Sequence, residues 1–111
     1  MKPRPLRNRT GQFLRRLPVT PESERCWLIW SRKWRAWHRR DGAGRAAGYT
    51  TDIAEAGLFP FSKAHAYHDG VVNEAFHVSE KVDLIDMQLG DVRRMLFQLE
   101  GKAAAARQAA A

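Results

Sequence analysis

In the C-terminal third of the chain, apolar residues recur at alternating intervals of three and four: Val82, Ile85, Leu89, Val92, Leu96 and Leu99. This is the a/d stripe of a heptad repeat, and it predicts a helix over residues 82–100. Ser79 or Asp83 suits its start and Gly101 its end. Gly90 weakens the helix by roughly 1 kcal/mol relative to alanine. Leu84, Met87, Met95 and Phe97 widen the apolar surface beyond a narrow seam. Two destinations fit such a stripe: packing on the protein's own sheet, or pairing with a second copy in a homodimer through these six residues. Residues 102–111 form an alanine-rich tail that either extends the helix or frays.

A second strong pattern occupies Cys26–Arg40. Trp27, Trp30, Trp34 and Trp37 are spaced three, four and three, the stripe of an amphipathic helix. The residue types fit a hairpin instead, with strands Cys26–Trp30 and Trp34–Arg39 around a Ser31-Arg32-Lys33 turn. Asp41–Gly48, with glycines at 42, 44 and 48, predicts a flexible loop from the hairpin to a helix. Thr20 before Pro21 predicts a helix start at Pro21. Thr51-Asp52 predicts a short helix to Ala56 with Gly57 as its stop, and Ser62 is the expected cap of a second, Lys63–His68, ended by Asp69-Gly70. Ala75–Val78 is a third-strand candidate, with Phe76 and Val78 on one side and His77 on the other.

Charge alters this picture at the N-terminus. Residues 1–18 carry Lys2, Arg4, Arg7, Arg9, Arg15 and Arg16 with no acid, and Pro3 and Pro5 oppose regular structure. A basic, disordered arm is expected there. A single domain is then expected over residues 19–101. The formal charge of +7 is unevenly divided: residues 1–50 hold 13 basic and 3 acidic residues (13 − 3 = +10), residues 51–111 hold 6 and 9 (6 − 9 = −3). Such asymmetry points to a polyanionic partner for the basic half. The single cysteine, Cys26, excludes an intramolecular disulfide framework. There is no signal-peptide pattern and no run near the roughly 20 apolar residues of a membrane helix, so no membrane partner and a cytoplasmic location are expected.

The chemistry-bearing residues favour binding over catalysis. His65 and His68 are three apart on one expected helix, but no spacing matches a zinc finger or metalloprotease helix, so no metal site is assigned. The serines lack a nucleophile signature and the carboxylates are unpaired, so no catalytic residue, enzyme activity or cofactor is expected. Nucleic acid asks for cations against phosphate and flat aromatic faces against unpaired bases. Arg15, Arg16, Arg32, Lys33, Arg35, Arg39 and Arg40 offer the first. Trp34 and Trp37 offer the second, with Trp27 and Trp30 assigned to the core.

Trp30-Ser31, Ala36-Trp37-His38, Gly48-Tyr49-Thr50 and Asp52 to Gly57 resemble a set of short phage- and prophage-encoded proteins of unknown function. Their shared pattern is close to Trp-Ser, Ala-Trp-Trp, Gly-Tyr-Thr, then Ala-Gly and an aromatic. His38 stands where that pattern has a second tryptophan. The resemblance covers roughly residues 27–68 and implies a viral or prophage origin and a hairpin followed by short helices. The fold expected is therefore α+β: a Trp-rich β-hairpin with a third strand, two short helices and a long C-terminal helix. The function expected is that of a non-catalytic phage accessory protein contacting nucleic acid. The alternatives are an inhibitor docked on a host defence or nucleic-acid-handling complex, and a self-associating assembly or virion component.

Overall fold

The computed structural model describes residues 6–7 and 13–111. Most of the arm expected over residues 1–18 lies outside them. Within that arm Leu6–Arg7 (β1) pairs antiparallel with Phe13–Leu14 (β2), and residues 15–18 have no regular structure. The rest is an α+β fold of Trp27–Ser31 (β3), Ala36–Arg40 (β4), Ala46–Thr50 (β5), the short helix Phe61–Tyr67 (α1), Asn73–His77 (β6) and the long helix Val82–Ala110 (α2). It divides into two compact units at the 81/82 boundary, inside the range 19–101 that the sequence suggests as one domain.

In the first unit, β3–β6 form an antiparallel sheet in the order β5-β4-β3-β6. The tryptophan block is a hairpin, with Trp30 opposite Trp37 and Ser31 opposite Ala36. Strand alternation, not helical spacing, therefore decides which indoles share a face. The sheet has a strand more than the sequence predicts. Ala46–Thr50 is not the end of a flexible linker; it pairs with β4, Tyr49 opposite His38 and Thr50 opposite Trp37. The register slips between His38 and Arg40, so Ala47 and Gly48 together face Arg39. Gly48 takes φ 84° at this bulge, a conformation that costs a glycine little.

Residues 41–45 are a tight turn rather than a loose loop. Asp41 Oδ1 accepts from the Ala43 and Arg45 amides at 2.9 and 2.8 Å. The Arg45 amide bond is the main reason the Asp41 carboxyl sits below its ordinary range.

Two of the expected helices are changed. No helix begins at Pro21, where the chain makes a turn. Ser62 is not a cap: α1 starts after Pro60, and Glu22 reaches back to accept from the Ser62 amide at 3.1 Å and to bond its hydroxyl. Asp52 does cap a turn as expected, accepting from the Ala54 amide, although the turn is a 3-10 helix, Ile53–Glu55. The segment after it wedges between β3 and β4: the Gly57 amide donates to the His38 carbonyl at 3.0 Å, and Phe59 exchanges backbone bonds with Trp27 at 2.8 and 3.1 Å.

One sheet face is covered by α1. Trp27, Ala64 and Ala75 form its buried centre, with Leu17, Cys26 and Phe61 packed around them. The opposite face carries Leu28, Trp30, Trp37 and Phe76, with the Trp30 and Trp37 rings edge to face at 4.8 Å. β6 spans Asn73–His77, so Val78 lies outside it, in a 3-10 turn. Being last in the sheet, β6 turns the backbone groups of alternate residues, Asn73, Ala75 and His77, outward. Asn73 gives its amide to Asp69 Oδ1 and takes the Gly70 amide on its carbonyl. Ala75 gives its amide to His68 Nδ1 at 3.0 Å and accepts from the Arg15 guanidinium on its carbonyl.

In the second unit, α2 follows the heptad stripe but does not stop at Gly101; it continues to Ala110. Alanine has the highest helix propensity, and Ala103–Ala106 carry the helix past the glycine. No helix among the described residues is long and apolar enough to cross a membrane.

Candidate nucleic-acid interface

The β3–β4 turn holds the tip of the tryptophan hairpin. Ser31, 1% exposed, turns its hydroxyl inward and accepts from the Trp34 amide at 3.2 Å. Arg35 closes the turn at φ 48°, a left-handed conformation unusual outside glycine. This puts Trp34 on the surface at 59% exposure, with Lys33 Nζ 5.2 Å from its ring centroid. Tyr49 of β5 stands 6.1 Å away at a 42° tilt and is 46% exposed. Its ring lies 4.9 Å from His38, which lies 5.4 Å from Tyr67 of α1. The result is a row of rings that runs from an open tip into the core. His38, 6% exposed, is held there by a 2.7 Å bond between Nε2 and Asn73 Oδ1.

The residues expected to contact nucleic acid do not form one surface. Trp37 is in the core at 4% exposure and has no face open for a base. Its strand position opposite Trp30 and Thr50 turns it to the interior. Arg32 leaves the tip for β6, donating to Glu74 at 2.8 Å and to the Gly70 carbonyl at 2.6 Å. Arg15 joins the same carboxylate at 3.5 Å, bonds Glu80 at 3.1 Å and places its guanidinium 4.9 Å from the Phe76 ring centroid.

Glu74 is thus shared by two arginines. Burial works to raise its carboxyl, but the Arg32 bond and the charges of Arg32 and Arg15 outweigh burial and hold it below the usual range. Two of the seven expected cations are therefore neutralised within the fold. Arg40 is half-buried, its guanidinium against Gly44 and its Nε without a hydrogen-bond partner. Arg16 lines a groove of about 530 Å³ beside α1, together with Leu17 and Phe61. Lys33, Arg35 and Arg39 are exposed. Arg39 is four residues along the strand from Arg35, roughly 13 Å at strand spacing.

The cluster that remains is Lys33, Trp34 and Arg35 with Tyr49. Sequence reasoning missed Tyr49 because residues 41–48 read as a linker; only the Gly48-Tyr49-Thr50 motif marked it. Most motif residues turn out to build the sheet: Ser31 sets the turn, Ala36 and Trp37 are buried, Gly48 makes the bulge, and Thr50 accepts from the Asp52 amide at 3.0 Å.

The histidines are also separated by role. His65 is exposed and stacks on Phe61 at 5.5 Å, whereas His68 is 8% exposed. His68 accepts the Ala75 amide on Nδ1, so the proton is on Nε2, which donates to the Arg15 carbonyl at 2.7 Å. Burial, above all, pushes its pKa below the ordinary histidine value. Among the described residues no group of three or more His, Cys, Asp or Glu is placed to hold a metal ion. Comparison with protein-family models, with curated proteins and with solved structures finds no match.

Proposed function

We propose that this is a phage or prophage accessory protein that binds single-stranded nucleic acid at the β3–β4 tip. The observation that carries this reading is the outward indole of Trp34 beside the outward ring of Tyr49, flanked by Lys33 and Arg35. An exposed tryptophan has an energetic reason to be buried elsewhere, and a base stacked on it supplies that burial. The two cations take phosphates, a contact that carries no sequence information, so binding is weakly sequence-specific. The work is binding rather than catalysis.

The test is fluorescence anisotropy of a labelled single-stranded oligonucleotide over a range of salt. Trp34→Ala weakens binding by about 1–3 kcal/mol, the usual worth of one base–aromatic stack. Lys33→Ser with Arg35→Ser lowers the slope of log affinity against log salt by about 1.4, at about 0.7 per phosphate on a single strand. Affinity unchanged in both variants overturns the reading.

A second reading follows from the neutralisation of Arg15 and Arg32 on Glu74, which reduces the cationic field at this end of the sheet. The same tip then serves as a hot spot for docking on a host protein complex, since tryptophan, tyrosine and arginine dominate such contacts. Trp34→Ala would there abolish capture of a host protein by a nuclease-treated sample and leave oligonucleotide affinity untouched.

A further inference from the structure

We propose that α2 is a homodimerisation helix, and that it pairs with α2 of a second copy of the chain running antiparallel to it. The inference rests on the second unit alone and is independent of the nucleic-acid reading.

The first observation is an exposed apolar stripe along the helix. Val82, Leu89, Val92, Leu96 and Leu99 are 43–56% exposed, and no residue of α2 is buried. They stand with the half-buried Ile85 at the a and d positions of a heptad sustained over the helix. An isolated helix is only marginally stable in water and gains most from burying such a stripe.

The second observation says what covers it. In this heptad frame the e positions of α2 are Asp86, Arg93, Glu100 and Arg107, with signs that alternate at every seventh residue. In an antiparallel pair the e row of one helix flanks the e row of the other. Placing Asp86 beside the partner's Arg93, and Arg93 beside the partner's Asp86, makes both contacts attractive. The same register sets Val82 against the partner's Leu99, Ile85 against its Leu96, and Leu89 against its Val92. All six apolar positions are then covered by one another, as a two-fold interface requires.

A parallel pair does not achieve this. There the e row meets the g row, whose residues in α2 are Gln88, Met95, Lys102 and Ala109. Arg93 faces Gln88 and Glu100 faces Met95 without attraction, Arg107 faces Lys102 with repulsion, and Asp86 faces only Lys81, which precedes α2 and sits over the Phe76 ring at 4.1 Å. Within α2 the charge pattern is complementary to itself in the reversed direction, which favours a second copy as the partner.

Buried area is adequate. A Val or Leu side chain removes about 60–120 Å² from water, so six of these with Met95 bury about 400–800 Å² per partner, reaching the size of a specific interface.

The full chain is tested by sedimentation equilibrium. A mass twice the 12.7 kDa of one chain is expected. Leu89→Asp returns the mass to that of one chain. Tryptophan fluorescence stays native in that variant, because all four indoles precede residue 82. Arg93→Asp raises the dimer dissociation constant roughly tenfold by opposing like charges at two symmetric contacts, and adding Asp86→Arg restores it. Residue 93 has no charged neighbour three or four positions away, so the effect is not one on the helix itself. A single-chain mass at every concentration overturns the proposal, as does a mass above two chains. An Arg93→Asp variant that dimerises like the parent, or a double variant that is not restored, overturns the antiparallel pairing.

Discussion

Gly57→Ala tests whether the segment between β3 and β4 is a rigid wedge in the sheet. A methyl group at this position would stand 2.5 Å from Arg40 Cβ and 2.8 Å from Arg40 N, with Phe59 Cε2 at 3.1 Å. Carbon atoms rest at about 3.5–4.0 Å, so the two backbones must separate by about an ångström. The nearest atoms belong to β4 itself, which β5 holds from the other side, with Arg40 opposite Ala46.

Separation strains or breaks the Gly57–His38 backbone bond, about 1 kcal/mol. Overpacking adds about 1–3 kcal/mol. A loss of about 2–4 kcal/mol is expected, a large share of the roughly 5–15 kcal/mol that holds a domain folded. The measurement is equilibrium urea unfolding followed by tryptophan fluorescence, since every indole lies in this unit. Gly42→Ala is the control: a methyl there meets nothing within 4 Å, and the change should stay within about 0.5 kcal/mol. If Gly57→Ala behaved like Gly42→Ala, the wedge would be compliant and the account of the β3–β4 packing wrong.

Other perturbations separate the roles assigned above. Trp37→Ala should cost about 3–5 kcal/mol in the same unfolding assay, as a buried aromatic does, whereas Trp34→Ala should cost under about 1 kcal/mol and change ligand binding instead. Gly48→Ala, which places a side chain at φ 84°, should cost about 1–2 kcal/mol. His68 is held neutral, so the unfolded chain binds its proton more readily than the folded one; stability is full above pH 6.5 and falls as pH drops below it. Urea midpoints at pH 7.5 and 5.5 measure this, and equal midpoints would reject the buried-neutral assignment. Glu74 behaves in a lower window, its lowered carboxyl contributing stability above about pH 4.5 that is lost on further acidification. Glu74→Gln removes the carboxylate that neutralises Arg32, while Glu80 still holds Arg15, and should steepen the salt dependence of oligonucleotide binding by up to about 0.7.

The α+β class was legible because two patterns are strong. Six apolar residues at heptad spacing specify α2, and the β-loving composition around Trp27–Trp37 specifies the hairpin. β5 was not legible, since Ala46-Ala47-Gly48 lacks strand formers and its glycine serves a bulge that only pairing with β4 reveals. The cap of α1 was misread as Ser62 because its true partner, Glu22, is 40 residues away. Gly101 read as a stop since its local cost is visible, while the propensity of the alanines beyond it is the larger sum.

Legibility of the site failed for a similar reason. Proximity in sequence placed Arg32 with Lys33 and Arg35, yet Glu74, 42 residues on, draws it to the other edge. Spacing could not distinguish Trp34 from Trp37; the turn exposes the first and its place in β4 buries the second.

The outward backbone groups of Asn73 and Ala75 are occupied by side chains and a turn amide rather than by a neighbouring strand. A sheet left bare at that side is a template on which another chain can zip, the first step toward fibres. Here Arg15, His68 and Asp69 act as a seal. One stitch of that seal gives way before the Asp69 carboxylate does: a protonated His68 imidazole has no lone pair left for the Ala75 amide. Mild acid should therefore unpick the margin of the sheet before the domain melts, and turbidity or dye-binding fibrils should appear first at the pH where His68 takes its proton.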